Sequence, residues 1–150
     1  MKAALLLVAA LTFSFSSQAS HDAKEIDCIA KNIYFESRGE GIKGMTAIAH
    51  VTKNRVNSGK FPDSYCKVVY QSNQFSWVSK RPKVDKTDEA WQTAKNLARV
   101  IYYVDLPQDP THGALYFHSG KDKPYWTKKF KKTTKIKGHT FYKPVVTKTH

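Results

Sequence analysis

The chain has 150 residues, with 25 Lys or Arg against 12 Asp or Glu and a formal net charge of +13. That length suits one domain. The charge points to a polyanionic partner and is shared by binders of nucleic acid, of anionic lipid and of anionic cell-wall polymers. The first nineteen residues look like a removable leader. Lys2 supplies a short positive start, Ala3 to Phe15 is almost wholly apolar, and Ser17-Gln18-Ala19 ends in small residues. This is the pattern of a secretory signal peptide cut after Ala19, leaving one domain over 20–150. The apolar run is shorter than the ~20 residues a spanning helix needs, and no other segment is a candidate to cross a membrane. With Lys2 gone, 24 basic and 12 acidic residues remain, a net charge of +12. Cys28 and Cys66 are the two cysteines, and an even count in an exported chain predicts a disulfide. Closing a loop of about 39 residues contributes roughly 3–4 kcal/mol in the chain-entropy treatment. No cysteine follows the cut, so no lipid anchor is expected.

Helical periodicity starts at Asp22, with Glu25 three residues on as an aspartate form of the capping box. Ile26, Ile29, Ala30 and Ile33 form one apolar face, and Gly39 and Gly41 end the helix near Arg38. A second helix is predicted over 43–56, with Met45, Ile48, Ala49, Thr52 and Val56 inward. The segment 57–64 is a loop, and a short helix is expected over 63–70. After a second loop at 81–85, Thr87-Asp-Glu caps a helix that turns Ala90, Ala94, Leu97, Ala98 and Ile101 inward and ends near Val104. Trp91 lies beside that face and reads as core. Residues 114–119 and 139–146 read as strands, and the basic stretch between them as a mobile arm or loop. The fold class is α+β: a mainly helical core with a small antiparallel sheet late in the chain.

The segment Tyr34-Phe-Glu-Ser-Arg-Gly-Glu-Gly41 places two carboxylates four residues apart in a strongly basic chain. Glu36 follows Ile29 by seven residues, within about 20° of the same helical line, so it points where the isoleucines point. A carboxylate on an apolar stripe is costly unless paired or protonated. Desolvation raises its pKa, and a carboxylic acid that holds its proton near neutrality is a general acid. The competing reading is structural: a glutamate near a helix end also caps or pairs with a neighbour such as Arg38, Lys43 or Arg55. Arg55, at the end of the second helix, is expected to hold Glu40 or a helix carbonyl.

Five stretches in order, YFESRGEG, AIAHVTKNRV, QFSW, GALYFHSG with KPYW, and GHTFY, resemble the cell wall hydrolase family typified by the spore-cortex-lytic enzymes. The resemblance covers roughly Cys28 to Tyr142 and implies a small lysozyme-like domain that cleaves peptidoglycan glycan strands between MurNAc and GlcNAc. It assigns catalysis to the first glutamate of the Tyr-x-Glu-x-Arg-Gly-Glu motif, here Glu36. The second, Glu40, takes a structural or substrate-orienting role. It further suggests a lytic transglycosylase, in which the sugar's own 6-hydroxyl attacks the anomeric carbon. A hydrolytic muramidase or glucosaminidase on the same fold is the alternative, and would need a second acid among Asp85, Asp122 and Glu40. This chain differs from the family pattern in its lysine-rich 121–137 segment and in Ser37 after the first glutamate.

Mixed polar and aromatic groups suit sugars, which offer apolar faces and hydroxyls. Gln74, Phe75, Ser76 and Trp77 form one such set, and Tyr116, His118, Tyr125 and Trp126 a second. Alternation puts Tyr116 and His118 on one strand face, with Leu115 and Phe117 toward the core. His50, His112, His118 and His139 lack metal-ligand spacing, so neither a metal nor another cofactor is expected. His118 and His139 are expected to hydrogen-bond within the sheet or groove. Expected partners are glycan strands and, through charge, anionic envelope polymers, with the protein monomeric and localised to the periplasm or exterior. The rival reading is a non-catalytic secreted polyanion binder, with nucleic acid the ligand its lysines and rings suggest; a glutamate on an apolar helix stripe argues against it.

Overall fold

The computed structural model describes residues 3–104, 106, 108–121 and 123–145, with side chains from residue 16 onward. Five helices precede a three-stranded sheet: α1 (Ala3–Ser37), α2 (Gly41–Asn57), α3 (Tyr65–Val69), α4 (Ser76–Lys80) and α5 (Glu89–Tyr103), then β1 (Tyr116–Ser119), a 3-10 turn (Tyr125–Lys128), β2 (Phe130–Ile136) and β3 (His139–Pro144). The α+β class expected from the sequence is the one observed.

Helix α1 does not begin at Asp22. It runs unbroken from Ala3, and the two acids expected to cap it hold other elements instead. Asp22 Oδ1 accepts from Tyr102 Oη at 2.7 Å and from Gln18 Nε2 at 2.7 Å, tying α1 to α5. Buried Glu25 accepts the backbone N–H groups of Tyr65 (2.7 Å) and Cys66 (3.3 Å), so it caps α3 across the fold. Those N–H groups belong to the first turn of a helix, which has no internal acceptor for them. Ser64 adds a cap on Lys67 N. The Cys28–Cys66 disulfide ties the same two elements and spans 38 residues of sequence.

Gly41, at φ 66°, opens α2 in a backbone conformation that disfavours side-chain-bearing residues, and lets the chain turn back along α1. Ile29, Ile33, Tyr34, Met45, Ala49, Trp91, Ala94, Ala98 and Ile101 make the helical core of α1, α2 and α5. The other side of α2, through Ala47, Ile48 and Val51, packs on Ala114 and Phe141 at the sheet. A helix buried on two sides is apolar nearly all round, and Val56, expected inward, is only partly buried at its end. Asp88 caps α5 through Ala90 N (2.9 Å) and accepts Tyr34 Oη (2.9 Å). The short helix α4 falls where the sequence predicted no element.

The sheet order is β1-β3-β2, with both pairings antiparallel. The basic stretch expected to be an arm therefore contributes an edge strand. Its lysines mask the alternation that would have marked it, and edge lysines are a usual protection against strand-to-strand aggregation. A bulge between Lys132 and Thr134 leaves Thr133 unpaired with β3. Strand β3 ends at Pro144, and Val146, expected to continue it, lies outside the described residues. Among the described residues no helix is long and apolar enough to cross a membrane.

Candidate active site

Glu36 sits in the last turn of α1, held there by the packing of Ile29 and Ile33 below it. Its side chain is partly buried, and desolvation raises its carboxyl from 4.5 to about 7, against the opposing pull of the Arg55 cation. Ser37, next in sequence, turns its hydroxyl back to Ile33 O at 2.7 Å.

Arg55, named from the sequence only as a structural partner, is a site group that sequence reasoning did not assign. It is only 4% exposed and donates from Nε to Leu115 O at 2.7 Å, which corrects the expectation that it holds Glu40 or a helix carbonyl. Its guanidinium lies 4.9 Å from the Phe61 ring centre, 5.2 Å from Phe75 and 5.9 Å from Tyr116, and its Nη1 is buried without a hydrogen-bond partner. Burial depresses its pKa to about 10, while Tyr116 and Glu36 raise it. It therefore remains a cation at neutral pH. The signal was present in the sequence: Arg55 follows Ile48 by seven residues, on the apolar stripe of α2, as Glu36 follows Ile29 on α1.

Glu40 has a different setting. Its Oε2 accepts Gly138 N at 2.7 Å, and the His139 ring nitrogen lies 3.9 Å away. A Cβ on Gly138 would come within 2.7 Å of Glu40 Oε1, and one on Gly44 would fall onto Glu40 Cβ. Glu40 is thus wedged between two glycines and fastens the β2–β3 turn to the start of α2. Burial lowers the pKa of His139, with Glu40 acting in the opposite direction. His139 Nδ1 and His118 Nδ1 are both buried without a hydrogen-bond partner, whereas His118 Nε2 meets Tyr142 Oη at 3.2 Å.

The two predicted binding sets are placed differently. Phe75 (6% exposed) and Trp77 (8% exposed) pack with Val69, and Trp77 Nε1 donates to Asn32 Oδ1 at 3.3 Å. Their rings are largely committed to the interior, with Trp77 tilted against Phe35 at 4.9 Å. Gln74 and exposed Ser76 line a shallow depression of about 660 Å³ beside Tyr70 and Arg81. Tyr116, His118 and Trp126 of the second set share one sheet face. Tyr116 stacks on Phe130 at 4.4 Å and lies 5.8 Å from Trp126, which meets Tyr142 edge-on at 5.4 Å, and His118 stacks on Tyr142 at 5.6 Å. Phe130 and Tyr142 join this face without having been expected. Tyr125, 78% exposed in the 3-10 turn, stands outside it. Leu115 is buried and Phe117 packs on Phe75 and Phe141, both inward as alternation required.

Of the candidate second acids, Glu40 is engaged by Gly138, and Asp85 is exposed and bound to Thr87 N (2.9 Å) and Oγ1 (2.6 Å). Asp122 lies outside the described residues. Among the described residues, the charge that acts on Glu36 is the Arg55 cation. Also among them, no group of three or more His, Cys, Asp or Glu side chains could hold a metal ion.

The fold and these groups define a helix-dominated α+β domain that carries a partly buried carboxyl and an aromatic sheet face. The chain belongs to the Cell Wall Hydrolase family, whose model matches residues 39–142 and so begins just past Glu36. It is 32% identical over 126 residues to the spore cortex-lytic enzyme of Bacillus cereus, covering 82% of this chain and 46% of that one. It is 33% identical over 99 residues to the spore cortex-lytic enzyme of Halalkalibacterium halodurans, covering 66% of this chain and 28% of that one. The chain thus spans less than half the length of these relatives. Among solved structures it is similar to the catalytic domain of the germination-specific lytic transglycosylase SleB from Bacillus anthracis, with a TM-score of 0.66, 31% identity, and coverage of 79% of this chain and 93% of that one. The catalytic domain of the Bacillus cereus SleB protein gives a TM-score of 0.65 at 29% identity, covering 79% and 89%.

Proposed function

We propose that this chain is an exported peptidoglycan-degrading enzyme that cleaves between MurNAc and GlcNAc as a lytic transglycosylase, with Glu36 as its single catalytic acid and base. The observation that carries the reading is Glu36 itself: a carboxyl raised to about 7 by burial, on an apolar helix stripe, with a buried cation close enough to act on it. With such a pKa, about half of the Glu36 side chains hold a proton at neutral pH. In the first step the Glu36 proton passes to the glycosidic oxygen as the bond from that oxygen to the anomeric carbon breaks. The carboxylate left behind is stabilised by Arg55. In the second step the 6-hydroxyl oxygen of the same sugar bonds to the anomeric carbon and its proton returns to Glu36, so no water is consumed. This route needs one carboxyl where hydrolysis by a carboxylate pair needs two, and the Bacillus anthracis neighbour is itself named a lytic transglycosylase. The leader read over 1–19 would carry the chain out of the cytoplasm, to an envelope whose anionic polymers suit its charge. Mass spectrometry of digested sacculi tests the reaction. The expected products end in an anhydro sugar, and Glu36→Gln releases none; products that carry an added water would overturn the transglycosylase reading in favour of hydrolysis.

A further inference from the structure

The sheet face that carries Tyr116 and Trp126 does not end with its rings. Register places Tyr116, Tyr142 and Lys132 in one row across the three strands, and His118, Thr140 and Lys135 in the next. Directly paired residues share a face, so both lysines lie on the same side as Trp126 and Phe130. Each row therefore runs from a ring on β1 to an ammonium on edge strand β2, about 10 Å away at two strand spacings. At its near end, Tyr116 lies 5.9 Å from the Arg55 guanidinium. Lys132 and Lys135 are exposed, and among the described residues no carboxylate pairs with either. Edge lysines guard against strand pairing whatever the substrate, but these two also border the ring face, where a neutral sugar chain would leave both ammoniums unmatched. A chain with acidic groups hanging to one side fits it: rings under the sugars, ammoniums under the side groups.

We infer that Lys132 and Lys135 recognise the carboxylates of peptide side chains carried by the glycan, so that the preferred substrate is stem-bearing rather than neutral glycan. This inference rests on the glycan-cleaving reading above and names the substrate class for that site. Attraction at exposed ammoniums is modest, about 0.2–1 kcal/mol for each pair, so two lysines correspond to about a twofold to thirtyfold change in affinity.

Binding, rather than turnover, separates this inference from the catalytic one. Glu36→Gln protein would be titrated with soluble stem-bearing glycan fragments, native or with their carboxylates amidated by carbodiimide coupling. The same titrations would be run after adding Lys132→Gln and Lys135→Gln. Amidation and the lysine substitutions are each expected to weaken binding about twofold to thirtyfold. Together they should weaken it no further, because both remove the same attraction. Full additivity overturns the inference, as does indifference to amidation. So does a lysine-dependent response to added phosphate-bearing polymer with none to amidation, which would assign the edge to a wall polyanion. Should wild-type protein release no anhydro product while these binding results hold, the catalytic reading falls and the lysine assignment stands.

Discussion

Replacing Glu36 by glutamine should stabilise the protein at alkaline pH while abolishing its activity. The folded state holds the Glu36 proton far more tightly than the unfolded chain does, with the carboxyl raised from 4.5 to about 7. Between those values the native state binds more protons than the unfolded state, so stability falls as pH rises. The contribution is fully present below pH 4.5 and is lost as pH climbs through about 7. At about 1.4 kcal/mol for each pH unit, the gap comes to about 3 kcal/mol, which the residual solvent contact of Glu36 trims to about 2. Glutamine has nearly the same shape and never ionises, so its curve lacks this slope. Urea unfolding of both proteins from pH 4.5 to 8 isolates the effect, because His50 and His139, whose pKa values burial lowers, titrate in both and cancel in the difference. At pH 8 the variant should be more stable by about 2 kcal/mol, or about 5–10 °C in Tm. Difference curves that stay flat across this range would refute the claim that Glu36 is held dry in the fold.

Wild-type activity should decline through an alkaline limb near pH 7, where Glu36 loses its proton. Arg55→Gln removes the cation that opposes desolvation, so the limb should move up by about one pH unit as the maximal rate falls. Arg55→Lys should leave the limb near its original place, and a limb unmoved in Arg55→Gln protein that still folds by circular dichroism would refute the coupling. Gly138→Ala should cost about 1–3 kcal/mol by forcing Glu40 off the Gly138 N–H, and much less in a Glu40→Ala background, where nothing obstructs the new methyl. A strictly additive double-mutant cycle, measured by urea unfolding, would show that Glu40 is not the wedge described here.

The helical half of the fold was legible because its stripes are regular. The apolar positions of α1, α2 and α5 recur at helical spacing, and Asp88 caps α5 with a local bond. What the sequence hid were bonds between distant segments. Asp22 and Glu25 have the spacing of a capping box, yet they serve Tyr102 and the α3 N-terminus, 80 and 40 residues away. Local pattern cannot distinguish those outcomes, since each satisfies the same carboxylate. Strand β2 was hidden for another reason: its lysines belong on an edge that faces solvent, so it has no apolar face to reveal the period. Phe75 and Trp77 were misleading in the opposite sense, because an aromatic pair in a polar setting looks the same whether its rings line a groove or fill the space behind one.

The two glutamates of YFESRGEG illustrate how placement sets chemistry. They are four residues apart and chemically identical, but the helix ends between them. Glu36 is still on α1, so the apolar stripe carries it inward and burial pushes its pKa up. Glu40 is past the break, where the chain has turned, and it meets a backbone N–H that binds carboxylate. The glycine turn is what divides the roles. If the helix ran on through Glu40, both carboxylates would fall near one stripe, and each would raise the cost of ionising the other. The break leaves Glu36 on the dry stripe, where the proton transfer proposed for it needs a raised pKa, while Glu40, by fastening the β2–β3 turn, anchors the sheet.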